Sequence, residues 1–185
     1  LDSHALTDFL KSGQHFCEQL QSSTMVSLAL IEGECAGAGL SLALACHYCV
    51  ATLNQNTSFS FPEVSQGIHP IWGGMSRALQ RMGVTTALDF LTQSKVLTTE
   101  EALQKKLVDA AAAPEQVNLL SLRYVAGQPT KSTAPFSSAL LETLSARVLL
   151  NTQQQRKLAK EQDIEHYPAG SRLLNLWQLH GGALT

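Results

Sequence analysis

The 185-residue chain has little of what several protein classes require. Its 13 Lys and Arg are nearly balanced by 15 Asp and Glu, and no basic run alternates with aromatic residues, so nothing favours a nucleic-acid partner. No apolar run approaches the roughly 20 residues that span a bilayer. Asp2, Asp8 and Lys11 interrupt the apolar segment that a signal peptide needs. The composition therefore predicts a globular protein with no membrane span.

Cysteine is also scarce. Four cysteines are too few for a disulfide framework in a chain of this length. Cys46 and Cys49 form a C-x-x-C pair, which could be a redox pair or half of a zinc site. No second pair exists, and His47 lies at the wrong spacing for a ligand set. We expect these cysteines to be small buried hydrophobic residues, and the composition to indicate a reducing, cytoplasmic location.

The most informative segment is residues 25–69. Residues 25–31 form an apolar run that predicts a strand buried on both faces. A glycine-rich turn follows, and then an apolar stretch over 40–46 that predicts a buried helix. The free N–H groups at the start of such a helix can hold an oxyanion or a phosphate. The glycines of the turn are Gly33, Gly37 and Gly39.

The remaining pattern predicts further strands and helices around this segment. Residues 5–20 predict an amphipathic helix packing on the sheet, and residues 48–52 and 58–61 predict strands. Strand, helix and strand with short connections predict a parallel pair. Thr98 and Glu101 have capping-box spacing. Further helices are expected over 86–93, 114–125, 135–163 and 172–180.

Two regions are expected on this basis: an α/β core over residues 1–128 and a helical, oligomerising region over 129–185. One side of the long helix in the second region carries Leu140, Leu144, Val148 and Leu149. We expect this stripe to be buried against another subunit or against the chain's own core.

Two glycine-rich segments at their mutual spacing resemble the crotonase (enoyl-CoA hydratase/isomerase) superfamily. The resemblance is strongest to the hydratase/isomerase domain of multifunctional fatty-acid β-oxidation enzymes. The segment His166-Tyr167-Pro168-Ala169 resembles the segment that ends that domain. The first motif is Ile31-x-Gly33-x-x-Ala36-Gly37-Ala38-Gly39-Leu40-x-Leu42-Ala43-Leu44-Ala45-Cys46, and the second is Phe61-Pro62-Glu63-Val64-x-x-Gly67-Ile68-x-Pro70-x-x-Gly73-Gly74.

The resemblance implies an α/β fold, a spiral of ββα units with a C-terminal helical region. It also implies an acyl-CoA thioester substrate, no cofactor other than the coenzyme A of the substrate, and a homo-oligomer that is a trimer or a multiple of one. Its shared chemistry places a thioester enolate oxygen on two backbone N–H groups. By position the second donor is Ala38, within the turn that includes Gly37 and Gly39, and the catalytic carboxylate is Glu63.

The sequence departs from the family pattern at several positions. Ser41 stands where hydratases carry their second carboxylate, which favours single-base isomerase-like or weakened hydratase chemistry. Ile71 and Trp72 replace small residues and would narrow the acyl pocket. The loop with the first donor and the strands before it would precede Leu1, so the chain reads as a fragment or a natural truncation. The alternative is a non-catalytic crotonase-fold assembly module.

Other interpretations of single residues remain open. Gly39-x-Ser41-x-Ala43 approaches a hydrolase elbow but lacks the strand directly before it, and Gly37-x-Gly39 lacks the remainder of a dinucleotide fingerprint. His69 could line the pocket or be an ordinary loop residue. A basic trio could contact CoA phosphates or form a solvated helix face: Arg156, Lys157 and Lys160.

Overall fold

The computed structural model describes residues 2–129, 143–161 and 169–181. The helices are α1 Ser3–Ser22, α2 Gly37–Ala45, α3 Gly74–Met82, α4 Val84–Thr92, α5 Thr99–Gln104, α6 Pro114–Gly127, α7 Leu144–Glu161 and α8 Ala169–His180. The strands are β1 Leu28–Ile31, β2 Glu34–Ala36, β3 Tyr48–Thr52, β4 Ser58–Ser60, β5 Leu97–Thr98 and β6 Ala110–Ala112. A 3-10 helix spans Pro62–Val64.

These strands form two small sheets, and the first four strands belong alternately to one sheet and the other. The first has the order β1-β3-β6 with parallel pairing, and the second has the order β2-β4-β5 with β2 and β4 parallel and β5 antiparallel. The chain thus places one strand in each sheet and then forms a helix, first as β1-β2-α2 and then as β3-β4-α3. This is the ββα repeat that the resemblance implies, and the predicted parallel pair of β1 and β3 is confirmed.

Helix α2 lies in the core because it is apolar on nearly every side. Leu40, Ala43, Leu44 and Ala45 are all buried. Helix α3 packs against it, and α3 ends at Gly83, whose positive φ of 79° suits glycine at a helix end. Helix α5 begins with the predicted capping box of Thr98 and Glu101, which the structure confirms.

Two expectations about packing are wrong. Strand β1 has four residues and is shorter than predicted, and Leu30 is 42% exposed, so β1 is not buried on both faces. Helix α1 packs mainly on α2 rather than on the sheet. Only Cys17 of α1 is buried, and Phe9 and Phe16 remain exposed.

The C-terminal helices share a core with the α/β half. Leu158 of α7 and Leu173, Leu174 and Trp177 of α8 belong to the same buried cluster as Leu88 of α4. The expected apolar stripe does not face this core, since Leu144, Val148 and Leu149 are 64%, 44% and 71% exposed. Its burial by another subunit, and the division at residues 128 and 129, stay predictions. Leu140 and His166-Tyr167-Pro168 lie outside the described residues.

Candidate active site

The carboxylate of Glu63 lies against the first turn of helix α2. Its Oε2 and Oε1 atoms are 3.2 and 3.6 Å from the position that a Cβ on Gly37 would occupy. Gly37 also has a φ of +55°, a conformation that L side chains rarely adopt. Glycine at this position therefore serves two purposes, because it permits the turn into α2 and leaves room for the carboxylate.

Burial sets the protonation chemistry of Glu63. Within the described part of the chain, the buried Oε2 has no hydrogen-bond partner. Desolvation raises the pKa of Glu63, and a hydrogen bond to the residue's own backbone opposes this effect. A poorly solvated carboxylate with one unpartnered oxygen is a stronger base than one in water.

The start of α2 supplies donors beside this base. Ala36 is the N-cap residue and no side chain caps the helix. The N–H groups of Gly37, Ala38 and Gly39 therefore have no acceptor within the helix. A Cβ at Gly39 would meet nothing within 4 Å, so one side of this turn is open. The arrangement can hold a developing negative charge next to a group that accepts a proton.

Ser41 lies one turn further along α2 and is fully buried. A Cβ on Gly74, the first residue of α3, would be closer than 3.0 Å to its Oγ atom and 3.0 Å from the ring of Phe61. Ser41 Oγ has no hydrogen-bond partner among the described residues. The position expected for a second carboxylate is therefore occupied by a small side chain packed between two helices.

Ile71 and Trp72 lie in the loop between the 3-10 helix and α3, and together they line a pocket against α1. The indole of Trp72 rests on Gly13, because a Cβ there would be closer than 3.0 Å to indole atoms Cε2, Nε1 and Cζ2. The ring of Phe9 is 5.4 Å from it, centroid to centroid. Trp72 adopts a φ of +56°, which for a non-glycine residue costs about 1–2 kcal/mol.

Sequence reasoning missed the side chain that fixes this loop. Arg77 of α3 is buried and donates from Nη1 to the carbonyl oxygen of Trp72 and from Nε to Oε1 of Gln21 at 2.9 Å. It thereby joins α1, α3 and the loop. A buried arginine has no periodic signal in the sequence, whereas a glycine in the middle of a long helix, such as Gly13, does indicate close approach by another group.

The structure shows the surroundings of the remaining candidate residues. His69 is half-buried, and burial together with the nearby Arg172 lowers its pKa. Lys157 forms an ion pair with Asp89 at 2.8 Å on the α4–α7 contact. All four cysteines lie within residues 2–129 and none forms a disulfide, while burial raises the pKa of Cys49 to about 12. Cys49 is fully buried as expected, whereas Cys46 is partly exposed.

Within the described ranges, no group of three or more His, Cys, Asp and Glu side chains is placed to hold a metal ion. No helix in those ranges combines the length and the apolar character of a membrane span.

Comparison with known proteins identifies the family of this chain. Residues 3–171 match the family model for enoyl-CoA hydratase/isomerase. The chain is 34% identical over 170 residues to the fatty acid oxidation complex subunit alpha of Shewanella halifaxensis. The aligned region covers 89% of this chain and 24% of that protein. This chain therefore belongs to the enoyl-CoA hydratase/isomerase family, the crotonase superfamily.

Solved structures show the same fold. The enoyl-CoA hydratase of Bacillus anthracis superimposes with a TM-score of 0.64 at 16% identity, over 97% of this chain and 64% of that one. A Thermobifida fusca YX protein in complex with acetoacetyl-CoA gives a TM-score of 0.62 at 22% identity, over 95% and 63%. The chain thus spans under two thirds of these structures and about a quarter of the curated relative.

Proposed function

We propose that this chain carries catalytic machinery for an acyl-CoA thioester, with Glu63 as the single base and the N–H group of Ala38 as an oxyanion donor. The observation that carries the proposal is the position of the Glu63 carboxylate against Gly37. A base at this point lies beside the donors for the thioester oxygen, and the carbon that loses a proton is directly bonded to the carbonyl carbon of that thioester.

The reaction that one base can complete is movement of a double bond. Glu63 takes a proton from C2 of a 3-enoyl thioester. The electrons of that C–H bond form a C1–C2 double bond while the carbonyl π electrons move to the oxygen, where the α2 N–H groups stabilise the charge. The same carboxylic acid then returns its proton to C4. The double bond moves from C3–C4 to C2–C3 with no net gain or loss of atoms. The substrate supplies its own coenzyme A, and no other cofactor takes part.

Hydration makes a further demand that the chain meets poorly. A water must be held and deprotonated while the α-carbon receives a proton, which in this family is the work of two carboxylates. Ser41 cannot act as a base near neutral pH without a partner, and its hydroxyl is packed against Gly74. We therefore propose isomerase-like activity, with hydration slower than isomerisation. We also propose that the protein assembles as a homo-oligomer.

The test compares isomerisation of a 3-enoyl-CoA with hydration of a 2-enoyl-CoA. The full-length protein should isomerise faster than it hydrates, and Glu63→Gln should lower isomerisation about 10²–10⁴-fold, the usual contribution of a general base. Glu32→Gln is the matched control because Glu32 is exposed just before the glycine-rich turn. Fast hydration by the wild type would contradict the single-base mechanism. Absence of turnover with both substrates would favour the assembly module instead.

A further inference from the structure

The candidate base Glu63 lies on a segment, residues 61–74, that begins and ends against the first turn of helix α3. At its start the ring of Phe61 lies 3.0 Å from the position that a Cβ on Gly74 would occupy, and Gly74 is the first residue of α3. Just after Glu63 the chain turns, and the N–H group of Ile68 donates to the carbonyl oxygen of Glu63 at 2.9 Å. The segment is thus closed on α3, and Glu63 lies two residues from the first of its two contacts.

The contact at the other end of the 61–74 segment is made by Arg77. Its Nη1 donates to the carbonyl oxygen of Trp72, and a Cβ on Gly73 would be 2.6 Å from the same nitrogen atom. Trp72 and Gly73 both have a positive φ, of 56° and 74°, so the chain turns sharply beside the guanidinium. Because a positive φ is unfavourable for tryptophan, this turn needs an interaction that holds it. The hydrogen bond from Arg77 supplies one.

The charge of Arg77 is buried without a carboxylate partner. The residue is 5% exposed, and within the described ranges no ion pair includes it, while Glu18 of α1 acts on it only at longer range. Its other acceptor is a neutral one, Oε1 of Gln21 on α1, which lies 2.9 Å from Nε. Well-packed apolar side chains often stabilise a fold more than buried charges do. Stability alone therefore does not account for a guanidinium at this position.

We propose that Arg77 is a positioning residue for the candidate base, because it closes the 61–74 segment and so holds the carboxylate of Glu63 in place. The inference rests on the proposed function, since a displacement of about 1 Å at a reacting group can cost about 10²-fold in rate. A planar guanidinium donates from Nε and Nη1 to two acceptors in fixed directions, which the single ammonium group of lysine cannot do. Arg77→Lys should therefore release the end of the segment.

The first test is the isomerisation of a 3-enoyl-CoA by the full-length protein. Arg77→Lys should lower kcat about 10–10²-fold and change KM less than about threefold, because it moves the base and not the groups that bind the substrate. The matched control is Arg81→Lys, the same change one turn further along α3. The side chain of Arg81 is 12% exposed and pairs with Asp109 at 2.9 Å, away from the 61–74 segment. This control should keep the wild-type kcat. An equal loss in both variants, or no loss with Arg77→Lys, would overturn the proposal.

The second test measures the position of Glu63 without any reaction. Burial raises the pKa of Glu63, so Glu63→Gln should raise the urea midpoint of the wild type near pH 7. If Arg77 holds the carboxylate in its buried position, this rise should shrink in the Arg77→Lys background and persist in the Arg81→Lys background. A rise of equal size in the two backgrounds would contradict the positioning role.

A milder variant keeps both tests usable if Arg77→Lys does not fold. Gln21→Met removes the second acceptor of Arg77 at an exposed residue near the end of α1. It should lower kcat and shrink the effect of Glu63→Gln in the same direction, by smaller amounts. Wild-type behaviour of Gln21→Met in both tests would then count against the proposal.

The two tests separate the positioning role from the proposed reaction. If the effect of Glu63→Gln on the urea midpoint shrinks with Arg77→Lys alone while no substrate turns over, Arg77 positions Glu63 and the proposed function falls. If the wild type turns over substrate through Glu63 but Arg77→Lys and Arg81→Lys behave alike in both tests, the proposed function stands and the positioning role falls.

Discussion

Replacing Gly13 with alanine tests the packing of Trp72 on helix α1. In an open helix, Gly→Ala raises the free energy of unfolding by about 1 kcal/mol, because glycine has more backbone freedom to lose. At Gly13 the added Cβ would lie closer than 3.0 Å to three indole atoms. Such overpacking costs about 1–3 kcal/mol. We therefore expect Gly13→Ala to leave stability unchanged or to lower it by up to about 2 kcal/mol in urea unfolding.

The control for this change is Gly127→Ala at the end of α6, where a Cβ would meet nothing within 4 Å. That variant should be neutral or stabilised. In the Trp72→Ala background the clash is gone, so Gly13→Ala should become stabilising by about 1 kcal/mol. The double-mutant cycle should thus give a coupling of about 1–3 kcal/mol between the two residues. Stabilisation by Gly13→Ala with Trp72 present would refute the contact.

Three further predictions follow from the site. Burial raises the pKa of Glu63, so the stability linked to this carboxyl is complete below its unfolded pKa of about 4.3 and is lost as pH rises through the higher folded pKa. Glu63→Gln should therefore unfold at a higher urea concentration than the wild type near pH 7. This difference should disappear in acid. Ala38→Pro removes one N–H group from the first turn of α2, where a helix tolerates proline. It should lower turnover about 10²–10³-fold without changing the circular dichroism spectrum. A wild-type rate would exclude Ala38 as a donor. Ser41→Glu should lower the free energy of unfolding by about 1–3 kcal/mol and should not raise the rate of hydration, because Gly74 and Phe61 fill the space beside Ser41. A stable variant that hydrates a 2-enoyl-CoA faster would contradict this packing.

Much of the fold is predictable from this sequence because its local signals agree with its packing. The glycines at 33, 37 and 39 mark the start of α2, and the pair Thr98 and Glu101 marks the start of α5. The strands that prediction missed are β2, β5 and β6, which have two or three residues each. Strand β4 is equally short, but the alternation of residues 58–61 reveals it. The three missed strands carry no such alternation, and their strand geometry depends on partners far along the chain.

The sequence predicts which residues form the candidate site, but it does not predict the distances between them. Glu63 and Gly37 were both identified from their motifs, yet only the fold brings the carboxylate against the glycine. The close packing of Ser41 on Gly74 joins two helices and leaves no trace in either segment. Leu30 and α1 were placed wrongly because apolar composition alone does not say which neighbour covers a surface.

The central claim is that Glu63 moves a proton at the carbon beside a thioester carbonyl. The most direct measurement is deuterium uptake at C2 of butyryl-CoA in D₂O, followed by mass spectrometry, since this exchange needs only a base and an oxyanion site. We expect uptake with the wild type and with Glu32→Gln, and a rate at least about 10²-fold lower with Glu63→Gln. Equal exchange by wild type and Glu63→Gln, or none by a wild type that binds butyryl-CoA, would contradict it.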